Sequence, residues 1–182
     1  SSMLDDPDNY ISYSAMIRVF EYCAERLNEP HFGFELAKTQ APDVTGPLAA
    51  LLLTSPTVGE GLSLVTRYMA VLAPGAKLSL DVDGEEAQLS YQINATSVRF
   101  HRQVNEFSMA LCYNTILAIV DGMFRLNSVE IASAAPLLHA PSPLPRFFGV
   151  AVQYDAMVSN IRFARAFLDH RIDTSNPTLL RF

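Results

Sequence analysis

The chain predicts a single α+β domain, and three observations lead there. Helical periodicity fills the first 72 residues, a twofold alternation takes over after Pro74-Gly75, and one long apolar helix follows the alternation. The expected architecture is a helical amino-terminal half, a small mostly antiparallel sheet, and a helix over Val104 to Phe124 packed across that sheet. The 182 residues, 49% hydrophobic and 18% charged, suffice for one core. The domain is expected over residues 1–173, with a linker beginning at Thr174.

The first helix starts at a cap supplied by Ser12 or Ser14 and carries Met16, Val19, Phe20, Cys23 and Leu27 at helical spacing. Arg18, Glu21, Glu25 and Arg26 occupy its other side, and Asn28-Glu-Pro30 ends it. A short helix follows over Phe32 to Lys38. Pro42 and Gly46-Pro47 punctuate a loop before the buried helical piece Leu48 to Leu53. The stretch SPTVGEGLSLVTRYMAVL, from Ser55 to Leu72, then raises the question of a phosphate-binding glycine loop. A dinucleotide fingerprint needs a third glycine where Leu64 stands and a strand immediately before. Neither is present. Thr57 and Glu60 have instead the spacing of a capping box, and Val58, Leu62, Val65, Met69 and Leu72 form one apolar helical face.

Leu78, Leu80 and Val82 alternate with polar neighbours, as do Leu89, Tyr91 and Ile93, so the two runs form a hairpin turning at Asp83-Gly84. Val104, Phe107, Leu111, Thr115 and Ala118 mark one face of the long helix. Met109, Tyr113, Ile116 and Val120 spread apolar character round it, which predicts burial on most sides. Short strands are expected at Ser128 to Ala132, Val152 to Tyr154 and Asn160 to Phe163, with a short helix through Arg146-Phe-Phe-Gly149.

Composition and spacing exclude several chemistries. The formal net charge is -6 and the thirteen Lys and Arg are scattered, so no basic stripe exists to neutralise a nucleic-acid backbone. No apolar run approaches the ~20 residues that span a bilayer, and no signal peptide opens the chain. Ser1-Ser2 ahead of Met3 reads as an expression scar. Cys23 and Cys112 lie in apolar helical patterns and read as reduced core thiols, which predicts a cytoplasmic location. His31, His101, His139 and His170 lack metal-ligand spacing and read as surface or capping residues, so neither a metal site nor a cofactor is expected. Asp81, Asp83, Glu85 and Glu86 form a solvated turn. Ser55 and Ser108 lack a nucleophile elbow and Cys112 has no neighbouring base, so no catalytic residue is assigned. For a ligand, Tyr68, Phe107, Met109 and Tyr113 supply aromatic, thioether and hydroxyl groups between helices, and Arg67 or Arg102 could meet a carboxylate. Core packing accounts for the same apolar residues, and surface solvation for the arginines.

Three stretches carry a family resemblance: Asn28-Glu-Pro-His-Phe-Gly-Phe-Glu-Leu36, the run Gly46 to Glu60, and Arg67-Tyr68 before the hairpin. Asn105-Glu-Phe107, Arg146-Phe-Phe-Gly149 and Ile161 to Asp169 extend it over nearly the whole chain. The sequence resembles the amino-terminal "arabinose-binding domain" type of effector module found ahead of an AraC/XylS DNA-binding region. That resemblance implies a bacterial transcription regulator whose domain senses a small molecule or mediates homodimerisation. DNA would be bound by a carboxy-terminal pair of helix-turn-helix motifs outside this chain, which stops at Thr178-Leu-Leu-Arg-Phe182 near the expected linker. It does not imply arabinose as the effector. The alternative fold is the cupin-like β-barrel of the sugar-sensing branch, which the helical first 72 residues fit less well. The alternative function is a small-molecule enzyme with a dispersed site. The effector site is expected between the Val104 to Phe124 helix, the Val58 to Leu72 helix and the sheet, with Arg67, Tyr68, Phe107, Met109 and Tyr113 as its residues.

Overall fold

The computed structural model describes residues 11–40, 46–94, 101–120, 123–137 and 141–173. The expected linker from Thr174 and His139 lie outside them. Four helices come first: α1 (Tyr13–Arg26), α2 (Phe32–Thr39), α3 (Pro47–Leu53) and α4 (Val58–Leu72). Ser12, rather than Ser14, caps α1 by accepting the Ala15 amide at 3.1 Å. Thr57 caps α4, its hydroxyl accepting the Glu60 amide at 3.2 Å. The glycines of this stretch serve packing. A Cβ on Gly61 would stand 2.5 Å from Leu52 Cδ1, and one on Gly59 would stand 3.0 Å from the Leu168 carbonyl oxygen. They let α3 and the chain at Leu168 close onto α4.

The hairpin pairs β1 (Ala76–Asp83) with β2 (Glu86–Ile93), and Gly84 takes φ +56° in its two-residue turn. The chain continues through α5 (Arg102–Ile119), β3 (Leu126–Glu130), α6 (Leu144–Phe148), β4 (Val152–Gln153), β5 (Ser159–Ala164) and a 3₁₀ turn (Arg165–Asp169). The five strands lie in the order β1-β2-β5-β3-β4. Only β3 and β4 run parallel, so this is the mostly antiparallel sheet of an α+β fold and not a cupin-like barrel. A register shift between Leu126 and Ser128 bulges β3 around Asn127, whose amide donates to Glu86 at 2.7 Å.

Helix α5 packs against α1, α2 and the inner face of β2 and β5. Leu89, Ile161 and Phe163 of the strands meet Met109 and Ile116 of the helix in one buried core. Two sequence expectations shift here. The long helix ends at Ile119, and Phe124 leaves it to fill an aromatic cluster with Tyr113, Phe163 and Phe167 at centroid distances of 5.0–5.8 Å. On α1 the buried residues are Ile17 and Ala24, whereas Val19 and Leu27 are exposed. Phe20 of α1 packs edge-on against Phe107 of α5.

Candidate functional site

A cavity of about 100 Å³ opens where α3, α4, the hairpin and α5 meet. Each element contributes the residues its periodicity turns inward. Leu48, Ala49 and Leu52 come from α3, and Leu62, Val65 and Met69 from α4. Leu78, Leu89 and Tyr91 come from the hairpin, and Ser108, Leu111, Cys112, Thr115 and Ile116 from α5. The wall is aliphatic apart from four groups, and each of these is neutral. Thr115 donates its hydroxyl to the Leu111 carbonyl at 2.8 Å. The Tyr91 phenol bonds Tyr13, across from α1, and Ser108; burial pushes its pKa far above the ordinary phenol value. Burial likewise pushes the Cys112 thiol up to about 12, although part of its surface remains accessible. Neither group ionises near neutral pH. A thiol so perturbed is no nucleophile.

None of the five sequence-derived candidates lines this cavity. Arg67 and Tyr68 point outward from α4, and Tyr68 borders a shallow groove against Pro47, Leu51 and Val71 instead. Phe107 stacks edge-on with Phe20 at 5.3 Å. Met109 is wholly buried, and Tyr113 lies among Phe124, Phe147 and Phe148. The structure therefore does not bring the five together, and Arg102 lies elsewhere as well. The actual wall mixes small and medium side chains, whereas aromatic and charged groups drew attention in the sequence.

A second cluster sits at the amino-terminal end of α5, and it corrects the reading of the histidines. His31 is 3% exposed and its Nδ1 lies 2.9 Å from Glu106 Oε2. Glu106 Oε1 accepts the Tyr154 hydroxyl at 2.9 Å and faces Arg102 Nη1 at 3.5 Å. Burial, reinforced by the Glu106 carboxylate, raises the Tyr154 pKa and keeps its proton on the phenol. Gln103 joins the same junction, donating to the Pro30 carbonyl at 3.0 Å and accepting the Gly33 amide at 2.9 Å. Asn105 donates to His101 Nδ1, the Ala132 carbonyl and Ser133 Oγ. His31 Nε2 has no hydrogen-bond partner among the described residues. Glu106 is wholly buried and His31 nearly so, and the pair ties the start of α2 to α5. Among the described residues no His, Cys, Asp and Glu converge as a metal site, and no helix is long and apolar enough to cross a membrane.

The architecture is an α+β domain of helices packed on a mostly antiparallel sheet. It superposes on the crystal structure of the transcriptional regulator CdpR from Pseudomonas aeruginosa with a TM-score of 0.68, covering 89% of this chain and 52% of that one. At 15% identity the likeness concerns the fold. The family is defined by the sequence: residues 1–172 match the arabinose-binding domain of AraC transcription regulators, N-terminal, and the chain belongs to that family. The HTH-type transcriptional regulator VirS of two Mycobacterium tuberculosis strains, CDC 1551 / Oshkosh and H37Rv, is 28% identical to it over 191 aligned residues. That alignment covers 96% of this chain and 51% of VirS, so the chain spans about half the length of these relatives.

Proposed function

We propose that this amino-terminal domain of an AraC-type regulator senses a small molecule in the cavity between α3, α4, α5 and the hairpin. The observation that carries the reading is the cavity itself, a gap in an otherwise close-packed core, walled by four elements and, among the described residues, lined by no Arg, Lys, His, Asp or Glu. The ligand contacts are thus assigned to the cavity wall in place of Arg67, Tyr68, Phe107, Met109 and Tyr113. DNA binding belongs to the part of the regulator outside this chain, since the net charge of -6 offers a duplex little counterion release. The domain acts as a homodimer in the cytoplasm, matching twofold protein to twofold DNA site.

Thermal-shift screening of bacterial metabolites tests the sensing role, because a ligand that binds only the native state stabilises it by RT ln(1 + [L]/Kd). At least one stabilising ligand is expected, and its effect should vanish when Ala49→Leu or Cys112→Leu fills the cavity. A ligand whose effect survives both substitutions binds elsewhere and defeats the assignment. Sedimentation over a concentration series tests the dimer, which a strictly monomeric species would contradict.

A further inference from the structure

We propose that the cavity selects a compact, uncharged, largely apolar molecule with a single hydrogen-bonding group, and rejects sugars and carboxylates. The inference rests on reading the cavity as the effector site and adds the chemical class of the effector. It sets the family's sugar-derived description against the residues of this chain.

Charge is the first discriminator. Among the described residues no Arg, Lys, His, Asp or Glu lines the cavity. A carboxylate placed there would lose its hydration with no cation to replace it, a penalty far above what apolar contact returns. The two titratable groups on the wall, Tyr91 and Cys112, are both held in their neutral forms.

Hydrogen-bonding capacity is the second. A sugar carries a hydroxyl on nearly every carbon, and each must find a partner on burial. The wall offers few. The Thr115 proton is committed to its own helix, and the Tyr91 phenol is already engaged with Tyr13 and Ser108. What remains, besides the Thr115 oxygen as an acceptor and the weakly polar Cys112 thiol, is one polar corner at Tyr91 and Ser108, too few partners for the hydroxyls of a sugar. The rest of the wall is Leu, Val, Ile, Ala and Met side chains.

Size is the third. A volume of about 100 Å³ is smaller than the apolar cavity of about 150 Å³ that accommodates benzene in another protein, so one small ring is the upper limit and needs the wall to give. Met69, half-buried on the wall with an unbranched thioether chain, can move to fit a slightly larger outline.

Four probes test the class: toluene, p-cresol, benzoate and arabinose, each followed by thermal shift and calorimetric titration on the 182-residue chain. Toluene and p-cresol should raise Tm saturably, and p-cresol should bind about two- to tenfold tighter, the worth of one net hydrogen bond. Ser108→Ala should remove the p-cresol advantage while leaving toluene binding intact. Benzoate and arabinose should produce no shift. Ala49→Leu and Cys112→Leu, each confirmed folded by circular dichroism, should abolish the toluene and p-cresol responses. A benzoate or arabinose shift that these variants abolish would overturn the class while leaving the site in place. Absence of any shift, or toluene and p-cresol shifts that persist in both filled variants, would overturn the site and the class together.

Discussion

Helix α5 is built differently at its two ends. Over its first turns Arg102, Gln103, Asn105 and Glu106 bind Glu21 of α1, Pro30 and Gly33 at the start of α2, and the segments around Ala132 and Tyr154 through hydrogen bonds of 2.6–3.1 Å. From Ser108 to Ile116 the same helix walls a largely apolar cavity, where the Thr115 hydroxyl bonds within the helix and Ser108 bonds the Tyr91 phenol. A buried polar junction tolerates one arrangement, because any displacement strands donors in low dielectric. An apolar wall next to a gap can repack at modest cost. One end of α5 is thus tied by polar contacts, and its middle borders a gap with room to repack.

Breaking the junction should produce the largest effect. Glu106→Ala strands the His31 and Tyr154 donors and should cost about 3–5 kcal/mol in urea denaturation, as removal of one partner of a buried pair does. Glu106→Gln, which keeps an acceptor oxygen, should cost less. If the two substitutions cost the same and less than about 1 kcal/mol, the junction does not tie this end of α5.

Gly33→Ala attacks the same end through packing. Its Cβ would fall inside contact distance of the Gln103 backbone oxygen, an atom that cannot swing aside. A loss of about 3 kcal/mol is expected. A near-neutral result would mean that α2 slides freely over α5.

At the cavity, Leu52→Ala removes wall atoms where packing is already incomplete. It should cost about 2 kcal/mol, at the low end for a buried leucine, measured as the change in denaturation midpoint at constant slope. A loss above about 4 kcal/mol would place Leu52 in rigid core instead.

The smallest effect lies on the outer sheet face, remote from both ends. Hydrogen bonds from Asn160 at 2.6 Å, then from Arg162 at 3.1 Å, hold the Glu130 carboxyl below its ordinary pKa of 4.5. A depressed folded pKa means stability present above pH 4.5 and lost as pH falls below it. The pair is partly exposed, so Glu130→Gln should cost less than about 1 kcal/mol at pH 7. The gap from the parent should close on acidification below pH 4.5, and a gap that widens there would reverse the sign.

Much of the fold was legible because local signals carry it. Thr57 at a capping-box position, the Leu78 and Leu89 alternations and the Gly84 turn each act within a few residues. The end of α5 was not legible, because apolar residues continue to Phe124 and the aromatic cluster that claims it is assembled from β5 and beyond. His31 and Glu106 are 75 residues apart, and no periodicity announces such a contact. One signal did exist: Asn105 and Glu106 interrupt a helix that is apolar all round, where a carboxylate demands buried partners. The cavity is a gap between side chains, and a sequence names the side chains only. The sequence reading singled out conspicuous groups such as Arg67 and Tyr68, which do not line the cavity, and passed over Leu52, Leu62 and Ser108, which do.

The contrast between the ends of α5 is tested most directly by xenon, which enters apolar cavities without hydrogen bonding. Methyl NMR spectra of the isotope-labelled domain would be recorded over a series of xenon pressures. Saturable shifts are expected for Leu52, Leu62, Leu89 and Ile116 at the cavity, with Ile17 and Val104 at the junction end unchanged. Shifts concentrated at Ile17 and Val104, or no saturable shift at the cavity methyls, would contradict the account.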